Sequence, residues 1–459
     1  MYGVIIKQGP QNWQILQQRD GAASVFLAGE IAVEPEIAER EDTRVLVWVN
    51  DEQTGARILP PVFIKPVGNA WSVTLRIPAG GPYRIDTCLR FKGIGEKRGD
   101  RIFHVGVGDV YVIAGQSNAV GVGKDPVSDP PDPAVHLYRV CGAWDMASHP
   151  LHDSTDTAYP LTQEKVQTGH SPWLNFAKIL HRHLGYPIGL IPATKGGIPL
   201  SCWDREEDGA FFDNMLAMID ASGCGGVRGI LWYHGCQDTA EPALYESYYE
   251  RFARVCRDFR SALFDTLPIL TVQLNKTTCT YQKDVRALGL SWAAVREAQR
   301  RAMHDIPGVY MAPSIDCPVC DGVHNASSSN LVIGERVANL ALRYIYDRPN
   351  VCDAPDIDRA VKTADNQLRL VFRHVGGHLF ADLNPVEELM FTVEDEAGEA
   401  VPTGYACPGD NTLLLSFDRP LGRGTIGCRR LNLSGLMPYD VYSYLPVIPF
   451  DGIPIVQGE

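Results

Sequence analysis

Between residues 107 and 347 short apolar runs alternate with longer segments of helical period, and this alternation limits the possible folds more than any other feature. Residues 110–114 form an apolar run of strand length that enters Gly115-Gln116-Ser117-Asn118. Ser171-Pro172 supplies an N-cap and a first-turn proline, Trp173, Phe176, Leu180 and Leu184 make a helical stripe, and Gly185 closes it. Residues 187–191 and 229–233 read as buried strands. Tyr245, Tyr249, Phe252, Cys256, Phe259 and Leu263 recur at four–three spacing, the apolar face of a second helix. Residues 267–274 are strand again, and 291–304 and 331–344 are helical. Parallel strands need long crossovers, and helices supply them while covering both faces. The expected fold is α/β, a parallel sheet with helices on both faces.

On either side the pattern turns to β. In residues 1–106 the runs 24–28, 44–49, 62–65 and 71–77 alternate or cluster β-branched and aromatic residues, with turn signals at 66–69 and 79–82 and no convincing helix. After Asp347-Arg348-Pro349, residues 368–372, 389–394, 412–417 and 424–428 read as strands between Gly- and Asp-rich turns. The expected organisation is an N-terminal β-sandwich over 1–106, the α/β domain over 107–347, and a C-terminal β-rich domain, a second sandwich, over 348–459.

Charge and apolar runs remove several functions. Lys and Arg number 42 against 55 Asp and Glu, a net charge of −13, with no basic block to hold nucleic acid or an anionic membrane. No apolar run approaches the ~18 residues of a membrane helix. Twelve cysteines are spread along the chain with one close pair, Cys317 and Cys320, which reads as free thiols in a reducing compartment. Residues 1–18 carry one lysine and no apolar signal-peptide core, so the sequence as it stands is expected to be cytoplasmic, or secreted if a leader has been trimmed.

In an open parallel sheet, ligands sit beyond the carboxyl ends of the strands. Ser117 follows such an end, inside a flexible Gly-Gln-Ser-Asn turn. Asp321-Gly322-Val323-His324 can present a carboxylate and an imidazole from one turn. A serine nucleophile needs both, the imidazole to take its proton and the carboxylate to fix the tautomer. Thr194-Lys195-Gly196-Gly197 offers unhindered backbone N–H groups, and His234 would project into the same mouth from Trp232-Tyr233-His234-Gly235. Taken singly, each has a plainer reading: a helix-capping serine, a solvated turn, a tight turn and a satisfied core histidine.

Together the segments resemble a known family. Gly115-Gln116-Ser117-Asn118, Gly196-Gly197 with Trp203 beyond them, Trp232-Tyr233-x-Gly235-x-x-Asp238 and Asp321-x-x-His324 follow in order. They look like the sialate O-acetylesterase group of the SGNH hydrolase superfamily, which also includes plant-polysaccharide acetylesterases. Val272-Gln273-Leu274 and Trp292 with Arg296-Glu297-Ala298-Gln299 are smaller echoes, and Leu16-Gln17-Gln18-Arg19-Asp20 is similar to the start of longer members. The resemblance implies Ser117 as nucleophile, His324 as general base and Asp321 as its orienting partner. It also implies an oxyanion hole built from Ser117 N–H and Gly197 N–H with His234 as its third donor, His234 standing where the family has Gln and Cys236 where it has Glu. Gln116, Asn118 and Trp203 would touch the sugar. The implied partner is an acetylated carbohydrate, with neither cofactor nor metal.

Three other readings compete. Cys317-x-x-Cys320 with His324 has zinc-like spacing but lacks an evident fourth ligand. Cys236 with His234 would make a cysteine hydrolase. A decayed hydrolase between two β modules would bind carbohydrate without turning it over.

Overall fold

The structure is a computed structural model that describes residues 3–279, 284–381, 385–431 and 436–458. Its central sheet contains β1 (Ile94–Gly115), β2 (Val135–Arg139), β3 (Ala143–Met146), β4 (Ile188–Thr194), β5 (Gly229–Tyr233), β6 (Ile269–Val272) and β7 (Val309–Ala312). Across the sheet the order is β3-β2-β4-β1-β5-β6-β7, parallel throughout except for the edge strand β3.

Strand side chains alternate between faces. Val110, Val112 and Ala114 of β1 join one apolar core, and Tyr111 and Ile113 join the other. Helices α1 (Trp173–Leu184) and α5 (Ser327–Tyr344) close the Tyr111 side through Trp173, Phe176, Ile333 and Val337. Helices α2 (Ala210–Ser222), α3 (Tyr248–Ala262) and α4 (Val285–Asp305) close the opposite side through Phe212, Phe252, Phe259 and Trp292. Each such buried side chain contributes about 1.5–3 kcal/mol. The α/β reading therefore holds, with a helix layer on each face.

Local boundaries shift for physical reasons. Pro172 occupies the N-cap of α1 rather than its first turn, with Ser171 Oγ accepting from Trp173 N–H at 3.4 Å. Helix α4 begins well before residue 291, because the Asp284 carboxylate accepts from Ala287 N–H at 2.9 Å and caps it there. The 245–263 stripe is two helices: Tyr245 lies in a short one (Pro242–Glu246), and Tyr249 to Phe259 belong to α3, with Leu263 as its C-cap.

The largest difference lies at the first domain boundary. Strand β1 pairs antiparallel with Gly80–Phe91 over its first part and parallel with β4 and β5 over its last. The boundary expected between 106 and 107 thus falls inside one strand. Gly106 and Gly108 break its apolar pattern without turning it. A Cβ at Gly108 would lie 1.8 Å from the Pro187 carbonyl oxygen, so glycine marks a close approach of backbones. A three-stranded sheet (Gly3–Gln8, Ala22–Ala32, Ala70–Pro78) shares an apolar core with Arg44–Asp51, Gly80–Phe91 and the start of β1. One short helix, Pro35–Ala38, lies where the sequence shows none.

In the C-terminal region eight described strands form one sheet with its own apolar core. It is tied to α4 through Asp356, which accepts from Arg300 at 3.0 Å and pairs with His304 at 2.8 Å. Gln273 Nε2, just past β6, donates to the Pro449 carbonyl at 2.8 Å. Among the described residues no helix is long and apolar enough to cross a membrane.

Candidate active site

Strands β4 and β5 flank β1 on opposite sides, so the chain reverses direction of travel there and leaves a crevice at their carboxyl ends. Gly115 ends β1 at φ 130°, and a Cβ on it would meet the Tyr233 carbonyl oxygen at 2.2 Å. Only glycine fits, and the turn it makes delivers Ser117 to the first position of a short helix, Ser117–Val120. Gln116 N–H donates to the Tyr233 carbonyl at 3.0 Å, and Gln116 Oε1 accepts from Gly235 N–H at 3.0 Å. The turns after β1 and β5 are thereby fastened together.

Ser117 Oγ lies 2.8 Å from His324 Nε2, and His324 Nδ1 lies 2.8 Å from Asp321 Oδ2. An ionised carboxylate only accepts, so Nδ1 carries the proton and bare Nε2 faces the serine hydroxyl. Asp321 Oδ1 accepts from Val323 N–H and His324 N–H, each at 2.9 Å. Partial burial pushes the Asp321 carboxyl up, but those amides and the imidazole outweigh it and hold the group below the usual carboxylate range. The arrangement can move a proton from Ser117 to His324 while Asp321 stabilises the imidazolium.

Asn118 has a different place from the one expected. It is buried, with Nδ2 donating to the Val323 carbonyl at 3.1 Å and Oδ1 accepting from Asn325 N–H at 3.0 Å. It therefore grips the backbone on both sides of His324 rather than meeting a ligand. Asn275 Nδ2 donates to the same Val323 carbonyl at 2.8 Å. Gln116 does line the cavity, though its amide oxygen is committed to Gly235.

Two further expectations are corrected. His234 does not aim at Ser117. Its Nε2 donates to the Ile198 carbonyl at 3.1 Å, and Nδ1 accepts from the Tyr248 hydroxyl at 3.2 Å. Burial pushes this imidazole down to about 3, against the pull of the Ile198 carbonyl, so it acts as a neutral donor. Trp203 is wholly buried against Trp232, 5.3 Å between ring centres, and belongs to the core beneath the sheet's mouth. Trp292 and Tyr245 line the cavity instead.

Gly196-Gly197 passes directly over Ser117, a Cβ at Gly196 lying 3.5 Å from Ser117 Cβ. Two buried side chains tether this turn: His234 through Ile198, and Asp238 by accepting from Leu200 N–H at 3.1 Å. Burial raises the Asp238 carboxyl to about 6, opposed by that amide and by Arg251. Among the described residues Ser117 N–H and Gly197 N–H have no protein acceptor. Gly196 N–H does: Glu164 Oε1 takes it at 2.6 Å. The cavity measures about 980 Å³, within the range of small-ligand sites. Sequence reasoning had no signal for Glu164, because the loop that carries it has no periodicity.

The cysteine and zinc readings do not match this geometry. Cys236 lines the cavity, but burial pushes its thiol up to about 12 and His234 is turned away. Cys317 points at Asp316, Cys320 at the Val122 carbonyl, and both His324 nitrogens are engaged. Among the described residues one group has metal-ligand composition: His149 Nε2 and His170 Nε2 at 2.9 and 3.1 Å from Asp129 Oδ2. Lys178 pairs with the other Asp129 oxygen, which already neutralises the carboxylate, and none of the four lines the cavity.

A sequence model of the family described as carbohydrate esterase, sialic acid-specific acetylesterase, matches residues 107–343. A probable carbohydrate esterase of Arabidopsis thaliana is 29% identical over 186 residues, covering 36% of this chain and 68% of its own. The crystal structure of a carbohydrate acetylesterase from Xanthomonas citri aligns with a TM-score of 0.63 over 97% of this chain and 99% of its own, at 22% identity. That likeness is one of fold, and it runs through the flanking β regions as well.

Proposed function

The chain belongs to the carbohydrate esterase family of sialic acid-specific acetylesterases, and from that premise we propose that it is a serine esterase removing O-acetyl groups from carbohydrate. The observation that carries the proposal is the unbroken run from Ser117 Oγ through His324 to Asp321, with 2.8 Å at each step.

Ser117 Oγ attacks the acetyl carbonyl carbon as His324 Nε2 takes the hydroxyl proton. Negative charge moves to the carbonyl oxygen, where Ser117 N–H and Gly197 N–H donate to it; one such donor is worth roughly 2.7–4 kcal/mol. Collapse breaks the bond to the sugar oxygen, which leaves with the proton from His324 as a free hydroxyl. Water then gives a proton to His324 and its oxygen to the acetyl carbon, releasing acetate and restoring Ser117. Asp321 keeps the imidazole in the tautomer that both half-reactions use. In this reading the α/β layer does the chemistry, and the β-rich flanks, each with its own apolar core, lie beside it.

Ser117→Ala removes one oxygen and little packing. It is expected to lower turnover of 4-nitrophenyl acetate by about 10⁴-fold or more while the melting curve stays in place. A mutant as active as the wild type would remove Ser117 from the mechanism. A wild type inactive on aryl and sugar acetates alike would favour the non-catalytic carbohydrate-binding reading.

A further inference from the structure

The loop between β3 and α1 reaches the nucleophile at a single acidic residue. Glu164 is held at its backbone, where its N–H donates to Ser154 Oγ at 2.9 Å. Its side chain lines the cavity, with Oε1 on Gly196 N–H at 2.6 Å. A Cβ placed on Gly196 would lie 3.3 Å from Glu164 Oε2 and 3.5 Å from Ser117 Cβ, so carboxylate and nucleophile border the same point. Among the described residues Oε1 takes the Gly196 N–H and no donor reaches Oε2. A charged acceptor is therefore presented, fixed and unfilled, beside the position where the acyl group reacts.

An ionised carboxylate can only accept, and each of its oxygens takes two hydrogen bonds. Among groups near a sugar acetate, the nearest donors are hydroxyls on the carbons next to the esterified one. Resting on the serine-esterase reading, we propose that Glu164 is a specificity-determining residue that accepts a hydrogen bond from such a neighbouring free hydroxyl. The enzyme then selects partly acetylated sugars, in which the ester stands beside an unsubstituted hydroxyl, over fully substituted ones. Lys165 and Lys195 line the same cavity. Gly196 N–H gives Glu164 its orientation, so the acceptor is in place before substrate arrives.

The test uses three esters: a methyl pyranoside with one O-acetyl group and free neighbouring hydroxyls, the same ester with those hydroxyls methylated, and 4-nitrophenyl acetate. A hydrogen bond to a charged group predicts that the wild type prefers the free-hydroxyl ester by about ten- to hundredfold in kcat/KM. In Glu164→Ala this preference is expected to collapse, mainly through a higher KM for the free-hydroxyl ester. In Glu164→Gln the Gly196 N–H takes the one amide oxygen and an NH2, which cannot accept, stands where Oε2 does, so the preference is expected to fall there too. A preference that survives in Glu164→Ala overturns the inference. Losses of equal size on all three esters do so too, and reduce Glu164 to a brace for the Gly196 turn. A wild type that hydrolyses 4-nitrophenyl acetate but treats the two sugar esters alike overturns this inference alone. A wild type that hydrolyses none of the three overturns the esterase reading with it.

Discussion

Burial takes the His234 imidazole down to about 3, so it holds the Ile198 carbonyl as a neutral Nε2–H donor. The unfolded chain takes up a proton near 6.5, and the folded protein does not until about 3. Across that window the unfolded state binds more protons, so the stability His234 contributes is complete above about 6.5 and lost as pH falls toward 3. The slope is at most about 1.4 kcal/mol per pH unit for one group. His136, pushed down to about 4 by burial, acts in the same sense, so the dependence persists without His234. His234→Gln removes one titration but keeps a donor for Ile198. Its melting temperature is expected to fall less steeply between pH 6.5 and 4 than that of the wild type, with activity largely retained. His234→Ala deletes the donor and leaves a hole, so it should melt earlier and turn over more slowly, by loosening the Gly197 turn. Identical pH slopes in wild type and His234→Gln would contradict the buried neutral imidazole.

At the scale of elements the site is four turns, three of them held by side chains from another. Gln116 fastens the β5 exit, His234 and Asp238 fasten the Gly196–Gly197 turn, and Asn118 fastens the turn bearing His324. Asn118→Ala frees the Asn325 amide and takes one of two donors from the Val323 carbonyl, which Asn275 still holds, each buried bond being worth about 1–3 kcal/mol. We expect kcat to fall by about tenfold or more with little change in KM, and the melting temperature to drop with it. Wild-type kcat and melting temperature in Asn118→Ala would show that the His324 turn needs no such clamp. These couplings also explain what was legible beforehand. Ser117, Asp321 and His324, which the structure brings within hydrogen-bond reach, could be picked out because their short motifs follow in an order that resembles a known family. The Asn118–Val323 and Glu164–Gly196 pairs join residues far apart in sequence, and no local spacing encodes them. Trp203 and His234 failed for another reason: an aromatic or imidazole after a strand has the same pattern whether it faces a ligand or the core.

Across the whole molecule the α/β layer, its parallel order and the β character of both flanks were readable from periodicity, because one face of each element must be apolar. The continuity of β1 was not. Gly106 and Gly108 lie where the sequence pattern changes, and only the Ile15 side chain beside the first and the Pro187 carbonyl beside the second show that they permit contact. The N-terminal strands therefore share hydrogen bonds with the strand that delivers Ser117, while the C-terminal sheet grips α4 through Asp356. All of this positions Ser117, the proposed nucleophile, so the most direct measurement is to trap what it forms. Wild-type protein mixed with 4-nitrophenyl acetate, quenched in acid within the first turnovers and digested, is expected to carry one acetyl group on the peptide containing Ser117. Acetyl found on Cys236 or elsewhere, or full turnover with Ser117 never acetylated, would contradict the account.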